Sequence, residues 1–223
     1  MIKAVIFDMY ETLITHYKSS LYFSPEMAED AGIPVEKFLP LWRNTESERW
    51  VGKMTFEDTI TMIMEKNHCY SEENLKKITE KRIATKEEGF RQLHENIIPM
   101  MQALRQKGML VGLISNCFSE EVTVIRRSIL FPYFTQVYLS YEQGIQKPDP
   151  EIYKRCMRDF HVKPEECLYI GDGGSQELQA ARTLGMKPLQ AVWYFQDDLP
   201  YQSKRNPEFE QVENPLDVLK YIK

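Results

Sequence analysis

Five short apolar runs constrain the fold of this chain more than any other feature of its sequence. They are rich in β-branched and aromatic residues and are near-continuous rather than alternating, which is typical of strands buried on both faces of a parallel sheet. Stretches with apolar residues at helical spacing lie between them, and this alternation predicts an α/β fold with a doubly wound parallel sheet. The predicted strands are IKAVIF, MLVGLIS, QVYLS, CLYIG and PLQAVWY, and the predicted helices lie near 95–107, 119–130, 150–160 and 175–184.

The interval between the first and second predicted strands departs from this alternation. It contains only helix-like patterns, which are separated by polar breaks such as AGIPVEK, WVGKMT and CYSEEN. We therefore predict a helical cap domain inserted at 15–88, and a core domain formed by 1–14 and 89–223.

The charge balance argues against several classes of partner. Lys and Arg number 28 and Asp and Glu number 33, which gives a formal net charge of −5. Such a chain is not expected to present a basic surface to nucleic acid or anionic lipid, and no stretch is apolar enough to predict a membrane span. We expect a small-molecule partner, and the sequence does not predict an oligomeric state.

The cysteines and the N-terminal residues favour a reducing compartment. The four cysteines show no paired spacing and the four histidines are scattered, so neither a disulfide framework nor a zinc cluster is predicted. The first residues lack the charged lead and the apolar length of a signal peptide. We expect a cytoplasmic protein.

Polar residues stand where the predicted strands end. Because ligands of open parallel sheets bind beyond the carboxyl ends of the strands, we expect these side chains to converge at one edge. They are Asp8, Ser115 and Asn116, Lys147 and Asp172, with Glu177 close behind. Clustered carboxylates repel each other unless a cation or a proton intervenes, and an oxygen-rich set suits Mg²⁺.

This set of residues predicts a reaction on a dianionic, phosphoryl-like substrate. Asp8 would attack phosphorus to give an acyl phosphate that water later cleaves, while the cation and Lys147 neutralise charge. Ser115 and Asn116 would donate hydrogen bonds to the transferred oxygens.

The same residues, in this order, resemble the four motifs of the haloacid dehalogenase superfamily. The motifs are Asp8 with Thr12 four residues on, Ser115 after an apolar strand, Lys147 before a proline, and GDGGSQELQAA around Asp172. The helical insertion stands where the first-type cap of that superfamily belongs. The resemblance implies Asp8 as nucleophile, Thr12, Ser115 and Asn116 on the substrate, Lys147 as charge anchor, and a Mg²⁺ site formed by Asp8, Tyr10, Asp172 and Glu177.

Tyr10 departs from the pattern of most phosphatases of the superfamily, which have an aspartate there that acts as general acid and base. With an ordinary pKa near 10, a tyrosine is a poor base near neutrality, although it can donate a hydrogen bond. The 2-haloacid dehalogenases of the superfamily have a tyrosine at this position and need no metal. Arg43, in LWRNTESERW, stands about where those enzymes place a cap arginine, so a metal-independent dehalogenase is the alternative. Tyr10 could also simply pack beneath the cap.

The fourth motif favours the phosphatase. Dehalogenases replace its metal-binding acid with serine and follow it with asparagine, whereas this chain has Asp172, Gly174 and Glu177. Without a cation, Asp8 and Asp172 would repel each other, and one of them would tend to protonate. We therefore predict a magnesium-dependent hydrolase of a small phosphorylated metabolite, with the cap selecting the substrate. A third possibility is a binding or regulatory module that has lost turnover.

Overall fold

The computed structural model describes residues 1–196 and 203–222. Its centre is a six-stranded sheet in the order β3-β2-β1-β4-β5-β6, in which every neighbouring pair is parallel. The strands are β1 (Ala4–Phe7), β2 (Leu110–Ser115), β3 (Gln136–Leu139), β4 (Cys167–Gly171), β5 (Lys187–Ala191) and β6 (Glu210–Val212). The predicted α/β class and parallel sheet are confirmed.

The first strand lies in the middle of the sheet and is buried on both faces. All four of its residues are buried, and Ala4 lies opposite Leu110 of β2 on one side and Cys167 of β4 on the other. Apolar clusters cover the two faces of the sheet, one containing Val5 and Phe7 and the other Ala4 and Ile6. This arrangement explains why the strand shows no polar alternation.

Five helices occupy the interval that interrupts the alternation. They are α1 (Ser24–Ala31), α2 (Val35–Asn44), α3 (Glu46–Trp50), α4 (Phe56–Lys66) and α5 (Glu72–Gly89). Their buried side chains form a separate apolar cluster that includes Phe38, Phe56 and Ile60. The segment thus has a core of its own, while its role as a cap and its limits at 15 and 88 stay a prediction.

The remaining helices of the described residues pack against the sheet, and all of them except the short α8 lie close to predicted positions. They are α6 (Ile97–Gln106), α7 (Ser119–Arg127), α8 (Ser140–Gln143), α9 (Pro150–Phe160) and α10 (Glu177–Thr183). The last predicted helix begins two residues late because Gln176 has a left-handed backbone, with φ of 54°. Within the described ranges, no helix is long and apolar enough to cross a membrane.

Candidate active site

The carboxyl ends of three adjacent strands place the predicted site residues together. Asp8 follows β1 directly, Ser115 is the last residue of β2, and Asp172 follows β4. The Asp8 N–H donates to the carbonyl oxygen of Ile170 at 2.8 Å, which extends the β1–β4 ladder to the point where the side chains emerge. Strand order alone therefore brings Asp8 and Asp172 to one edge.

Lys147 forms a buried ion pair with Asp8. The Lys147 Nζ lies 2.5 Å from Asp8 Oδ1, and the exposed fractions of the two residues are 2% and 6%. The Met9 N–H donates to the same oxygen at 2.8 Å, so two groups restrict rotation of the carboxylate. Burial raises the pKa of Asp8 above its ordinary value, Lys147 opposes this, and Glu177 adds to it.

Asn116 supports Lys147 rather than pointing freely into the site. Its Oδ1 accepts from the Lys147 N–H at 2.8 Å, and its Nδ2 donates to the Lys147 carbonyl oxygen at 3.0 Å. Ser115 next to it is fully buried, and its hydroxyl lies 3.3 Å from the Asn116 carbonyl oxygen. The peptide bond between Lys147 and Pro148 is cis. Asn116 thus links the end of β2 to the loop that carries the lysine.

Three buried carboxylates form the acidic part of the site. Oxygens of Asp8, Asp172 and Glu177 lie within 4.8 Å of one another. Burial, together with the charges of Glu177 and Asp8, raises the pKa of Asp172 to about 8. Three carboxylates this close repel one another unless a cation or a proton intervenes, and their oxygen donors are those that Mg²⁺ prefers. The donor set therefore fits a magnesium ion.

The Glu177 carboxylate also shapes the loop that precedes it. It accepts from the Gly173 N–H at 2.6 Å through Oε1 and from the Ser175 N–H at 2.7 Å through Oε2. A Cβ atom at Gly171 would lie only 2.7 Å from Oε1, so a larger residue there would displace the carboxylate from this position. The carboxylate can both order the acidic loop and face the cation site.

Tyr10 lies next to a cluster of charged residues on α5 and α7. Its ring stacks on His16 with centroids 4.6 Å apart, and Lys86 Nζ lies 5.2 Å from the ring centroid. Its buried hydroxyl has no hydrogen-bond partner among the residues described. Burial, with the charge of Glu121 next in size, raises the pKa of Tyr10 well above its ordinary value. The phenol therefore stays protonated, and its predicted place among the metal ligands stays a prediction.

Two buried ion pairs complete this cluster and join α5 to α7. Lys86 Nζ lies 2.6 Å from Glu121 Oε1, and Arg82 Nε donates to Glu120 Oε1 at 3.1 Å. All four residues are buried. These pairs connect the last helix of the helical segment with the sheet domain.

Glu11 and Thr12 continue the turn after the nucleophile. Glu11 has a left-handed backbone with φ of 57°, a conformation that favours glycine. Its carboxylate accepts from the Thr15 hydroxyl at 2.6 Å and from the His16 N–H at 2.9 Å, which ties its side chain to the residues that follow the turn. The Thr12 hydroxyl is buried without a partner among the described residues. Its predicted contact with substrate stays a prediction.

The buried arginine of LWRNTESERW is Arg49 and not Arg43. Arg43 is exposed on α2 and forms no hydrogen bond or ion pair with the described part of the chain. Arg49 is 1% exposed. Its guanidinium carbon lies 3.5 Å from the ring centroid of Trp42 and 4.4 Å from that of Phe118. Its Nη2 donates to the Trp42 carbonyl oxygen. Phe118 follows the end of β2 by three residues, so Arg49 packs against the segment that leaves this strand. The sequence pattern indicates Arg43 alone, and only the packing distinguishes the two arginines.

Ser203 is a further site neighbour that the sequence did not predict. Its hydroxyl donates to Asp172 Oδ2 at 2.5 Å, although 31 residues separate the two along the chain. No motif surrounds Ser203, so only the three-dimensional structure reveals this contact.

Sequence comparison agrees with this arrangement. A sequence model described as haloacid dehalogenase-like hydrolase matches residues 2–185. The chain therefore belongs to the haloacid dehalogenase-like hydrolases, as its motifs predicted.

Curated relatives include phosphatases of small metabolites. Glyceraldehyde 3-phosphate phosphatase of Methanopyrus kandleri is 27% identical over 132 residues, which cover 58% of this chain and 56% of that protein. The enzyme of the same name from Pyrococcus furiosus is 30% identical over 123 residues, 52% of this chain and 50% of that protein. The chain thus spans about half the length of these relatives.

Solved structures of two enzyme classes share the fold. A haloacid dehalogenase superfamily phosphatase from Thermococcus onnurineus has a TM-score of 0.70 at 17% identity, covering 99% of this chain and 98% of that one. A 2-haloacid dehalogenase from Pseudomonas syringae has a TM-score of 0.68 at 20% identity, covering 99% and 97%. At these identities the likeness shows the fold alone, so it does not choose between the two chemistries.

Proposed function

We propose that this chain is a magnesium-dependent phosphatase that hydrolyses a small phosphorylated metabolite through an aspartyl-phosphate on Asp8. The observation that carries the proposal is the group of three buried carboxylates, Asp8, Asp172 and Glu177, next to Lys147. Displacement of a halide from carbon gives no reason to collect three carboxylates, whereas a phosphoryl group needs a cation between itself and a carboxylate nucleophile.

The residues of the site account for both halves of the reaction. The Asp8 carboxylate attacks phosphorus, the bond from phosphorus to the leaving oxygen breaks, and that oxygen takes a proton. A water molecule then attacks the phosphorus of the aspartyl-phosphate, and the bond from phosphorus to the Asp8 oxygen breaks. Inorganic phosphate, which keeps the oxygen of the water, and a proton are released, and the Asp8 carboxylate is restored. When bound, Mg²⁺ would be held by Asp8, Asp172 and Glu177 and would neutralise charge on the phosphoryl oxygens.

Supporting residues orient the nucleophile and the phosphoryl group. Lys147 supplies a fixed positive charge to the nucleophile and the phosphoryl oxygens, and Asn116 fixes the backbone of Lys147. Ser115 and Asn116 lie at the end of β2, where donors to the transferred oxygens are expected. In this proposal the proton for the leaving group comes from Tyr10, from water or from the substrate itself, and turnover is slow.

The helical segment would act as a cap that excludes water during attack and admits it for hydrolysis. The proposed limits are 15–88 for the cap and 1–14 with 89–223 for the core.

Relatives named for glyceraldehyde 3-phosphate, phosphoserine and D-ribitol 5-phosphate suggest which substrates to assay first. The free thiols of Cys69, Cys117, Cys156 and Cys167 support a reducing, cytoplasmic location.

A metal-independent 2-haloacid dehalogenase is the second candidate, because Tyr10 stands at the position of a general acid. Two assays separate the phosphatase from the dehalogenase. One measures phosphate released from an aryl phosphate and the other measures halide released from 2-chloropropionate, each with and without Mg²⁺. Asp8→Asn is the control for both reactions. Phosphate release that needs Mg²⁺ and Asp8 supports the proposal, and metal-independent halide release that needs Asp8 contradicts it. If wild type releases neither phosphate nor halide, a binding module without turnover becomes the better account.

A further inference from the structure

We infer that Ser203 is a positioning residue of the acidic site, whose hydroxyl holds the Asp172 carboxylate in the orientation that binds the cation. This inference rests on the proposed magnesium site. The Ser203 hydroxyl donates to Asp172 Oδ2 at 2.5 Å, and the Gly174 N–H donates to Oδ1 at 3.1 Å. Each oxygen of Asp172 thus has one donor, and each keeps lone-pair capacity for a cation.

The absence of a side chain at position 174 allows the serine to approach. A Cβ atom on Gly174 would lie 3.1 Å from the Ser203 hydroxyl and 3.2 Å from Asp172 Oδ2, which is closer than ordinary packing. A larger residue would displace either the serine or the aspartate. Gly174, one of the departures from the dehalogenase pattern, therefore makes room for this hydrogen bond.

A buried glutamine anchors the segment that carries Ser203. Gln190 of β5 is 1% exposed, and its Nε2 donates to the carbonyl oxygens of Asp172 at 2.8 Å and of Lys204 at 2.9 Å. Its Oε1 accepts from the Asn206 N–H at 2.8 Å. One side chain thus holds the backbone of Asp172 and the residues that follow Ser203 in a fixed relation.

Ser203 also lies beyond residues 2–185, the part of the chain that the family's sequence model matches. Hydrogen bonds to metal-binding groups fix ligand orientation, and their removal typically weakens metal binding about 10- to 100-fold. We expect a loss of that size when the Ser203 hydroxyl is removed.

Calorimetric titration of the metal-free full chain with Mg²⁺ tests this inference. Ser203→Ala should weaken Mg²⁺ binding about 10- to 100-fold, whereas Ser203→Thr, which keeps a hydroxyl, should bind nearly as wild type does. Gly174→Ala should weaken binding as well, because it pushes the serine away. Thermal unfolding of each variant checks that the fold is retained.

The possible outcomes separate this inference from the proposed function. If wild type binds Mg²⁺ and a folded Ser203→Ala binds it equally well, the inference is wrong and the magnesium site stands. Tighter binding by Ser203→Ala would mean that the hydroxyl competes with the cation, which also overturns it. If wild type binds no Mg²⁺, both the inference and the proposed magnesium site are wrong.

Discussion

The side-chain amide of Asn116 hydrogen-bonds both polar groups of the Lys147 backbone, at 2.8 and 3.0 Å. Because Lys147 in turn contacts the nucleophile, Asn116→Ala should let the lysine move without removing its charge. A misplacement of this kind can cost about 100-fold in rate. We expect kcat for an aryl phosphate to fall by up to about 100-fold, with a smaller change in KM.

Asn67→Ala is the matched control for this experiment. Asn67 lies at the end of α4 and its side chain donates to the Ile63 carbonyl oxygen, within the helical segment. This variant should keep the wild-type kcat. An Asn116→Ala variant with unchanged kcat would show that the amide does not position the lysine for catalysis.

Turnover is expected to be slow because position 10 has a tyrosine instead of a carboxylic acid that could transfer protons. Tyr10→Phe keeps the ring that stacks on His16 and removes a hydroxyl that has no partner in the described structure, so it should change kcat little. Tyr10→Asp supplies a carboxyl group for proton transfer and should raise phosphatase activity. Steady-state rates with an aryl phosphate measure both effects. A loss of about 100-fold in Tyr10→Phe would instead identify the phenol as the proton donor, and no gain in Tyr10→Asp would count against this account.

Removing one partner of the Lys86–Glu121 ion pair should lower the free energy of unfolding far more than replacing both partners with neutral residues. Although burial raises it, the charges of Lys86 and Arg82 hold the pKa of Glu121 below its ordinary value, so the glutamate is charged at neutral pH. Lys86→Met leaves that buried charge without its partner and should lower the free energy of unfolding by about 3–5 kcal/mol.

Urea unfolding of single and double variants measures this coupling. Glu121→Gln keeps an oxygen that can accept from the Phe118 N–H, as the carboxylate does at 2.9 Å. Lys86→Met combined with Glu121→Gln should recover much of the loss. Strictly additive costs would mean that the two charges do not stabilise each other.

His16 is expected to make the protein less stable in acid. Burial and the charges of Lys86 and Arg82 hold the pKa of His16 well below its ordinary value of 6.5. Lys86 Nζ lies 3.3 Å from His16 Nε2; because lysine can only donate, this nitrogen must accept, as a neutral imidazole can. The unfolded chain therefore binds a proton below pH 6.5 that the folded protein does not.

The free energy of unfolding should consequently fall as pH drops below 6.5, by at most about 1.4 kcal/mol per pH unit from this residue. Well above pH 6.5, where His16 is neutral in both states, the residue contributes no pH dependence. His16→Gln should reduce the slope between pH 6.5 and 5, measured by urea unfolding. Glu11 lies nearby and is present in both wild type and the variant, so its contribution to the pH slope largely cancels when the two are compared. An identical slope in the variant would show that His16 takes up its proton in the folded state.

Local patterns predicted those elements whose residues carry their own signals. The helix expected at 150–160 occurs at Pro150–Phe160, because Asp149 accepts from the Glu151 N–H and a proline occupies the first helical position. Strand β6 was missed because it has only three residues, EQV, and lies at the sheet edge.

Some contacts of the candidate site follow from the sequence pattern, and others depend on tertiary packing. Asp8 and Asp172 meet because they follow adjacent strands, which a parallel sheet requires. The double hydrogen bond of Asn116, the burial of Arg49 and the approach of Ser203 depend on how separate loops pack. Nothing in their neighbouring residues encodes those contacts, so sequence reasoning could not supply them.

Mass spectrometry of acid-quenched protein tests the central proposal most directly. Wild type and Asp8→Asn would each be mixed with an aryl phosphate and Mg²⁺, or with 2-chloropropionate and no metal, and quenched within one turnover. We predict a phosphoryl group on the peptide that contains Asp8 in wild type alone, and only when Mg²⁺ is present. An ester of Asp8 formed from 2-chloropropionate without metal would contradict the account and identify a dehalogenase.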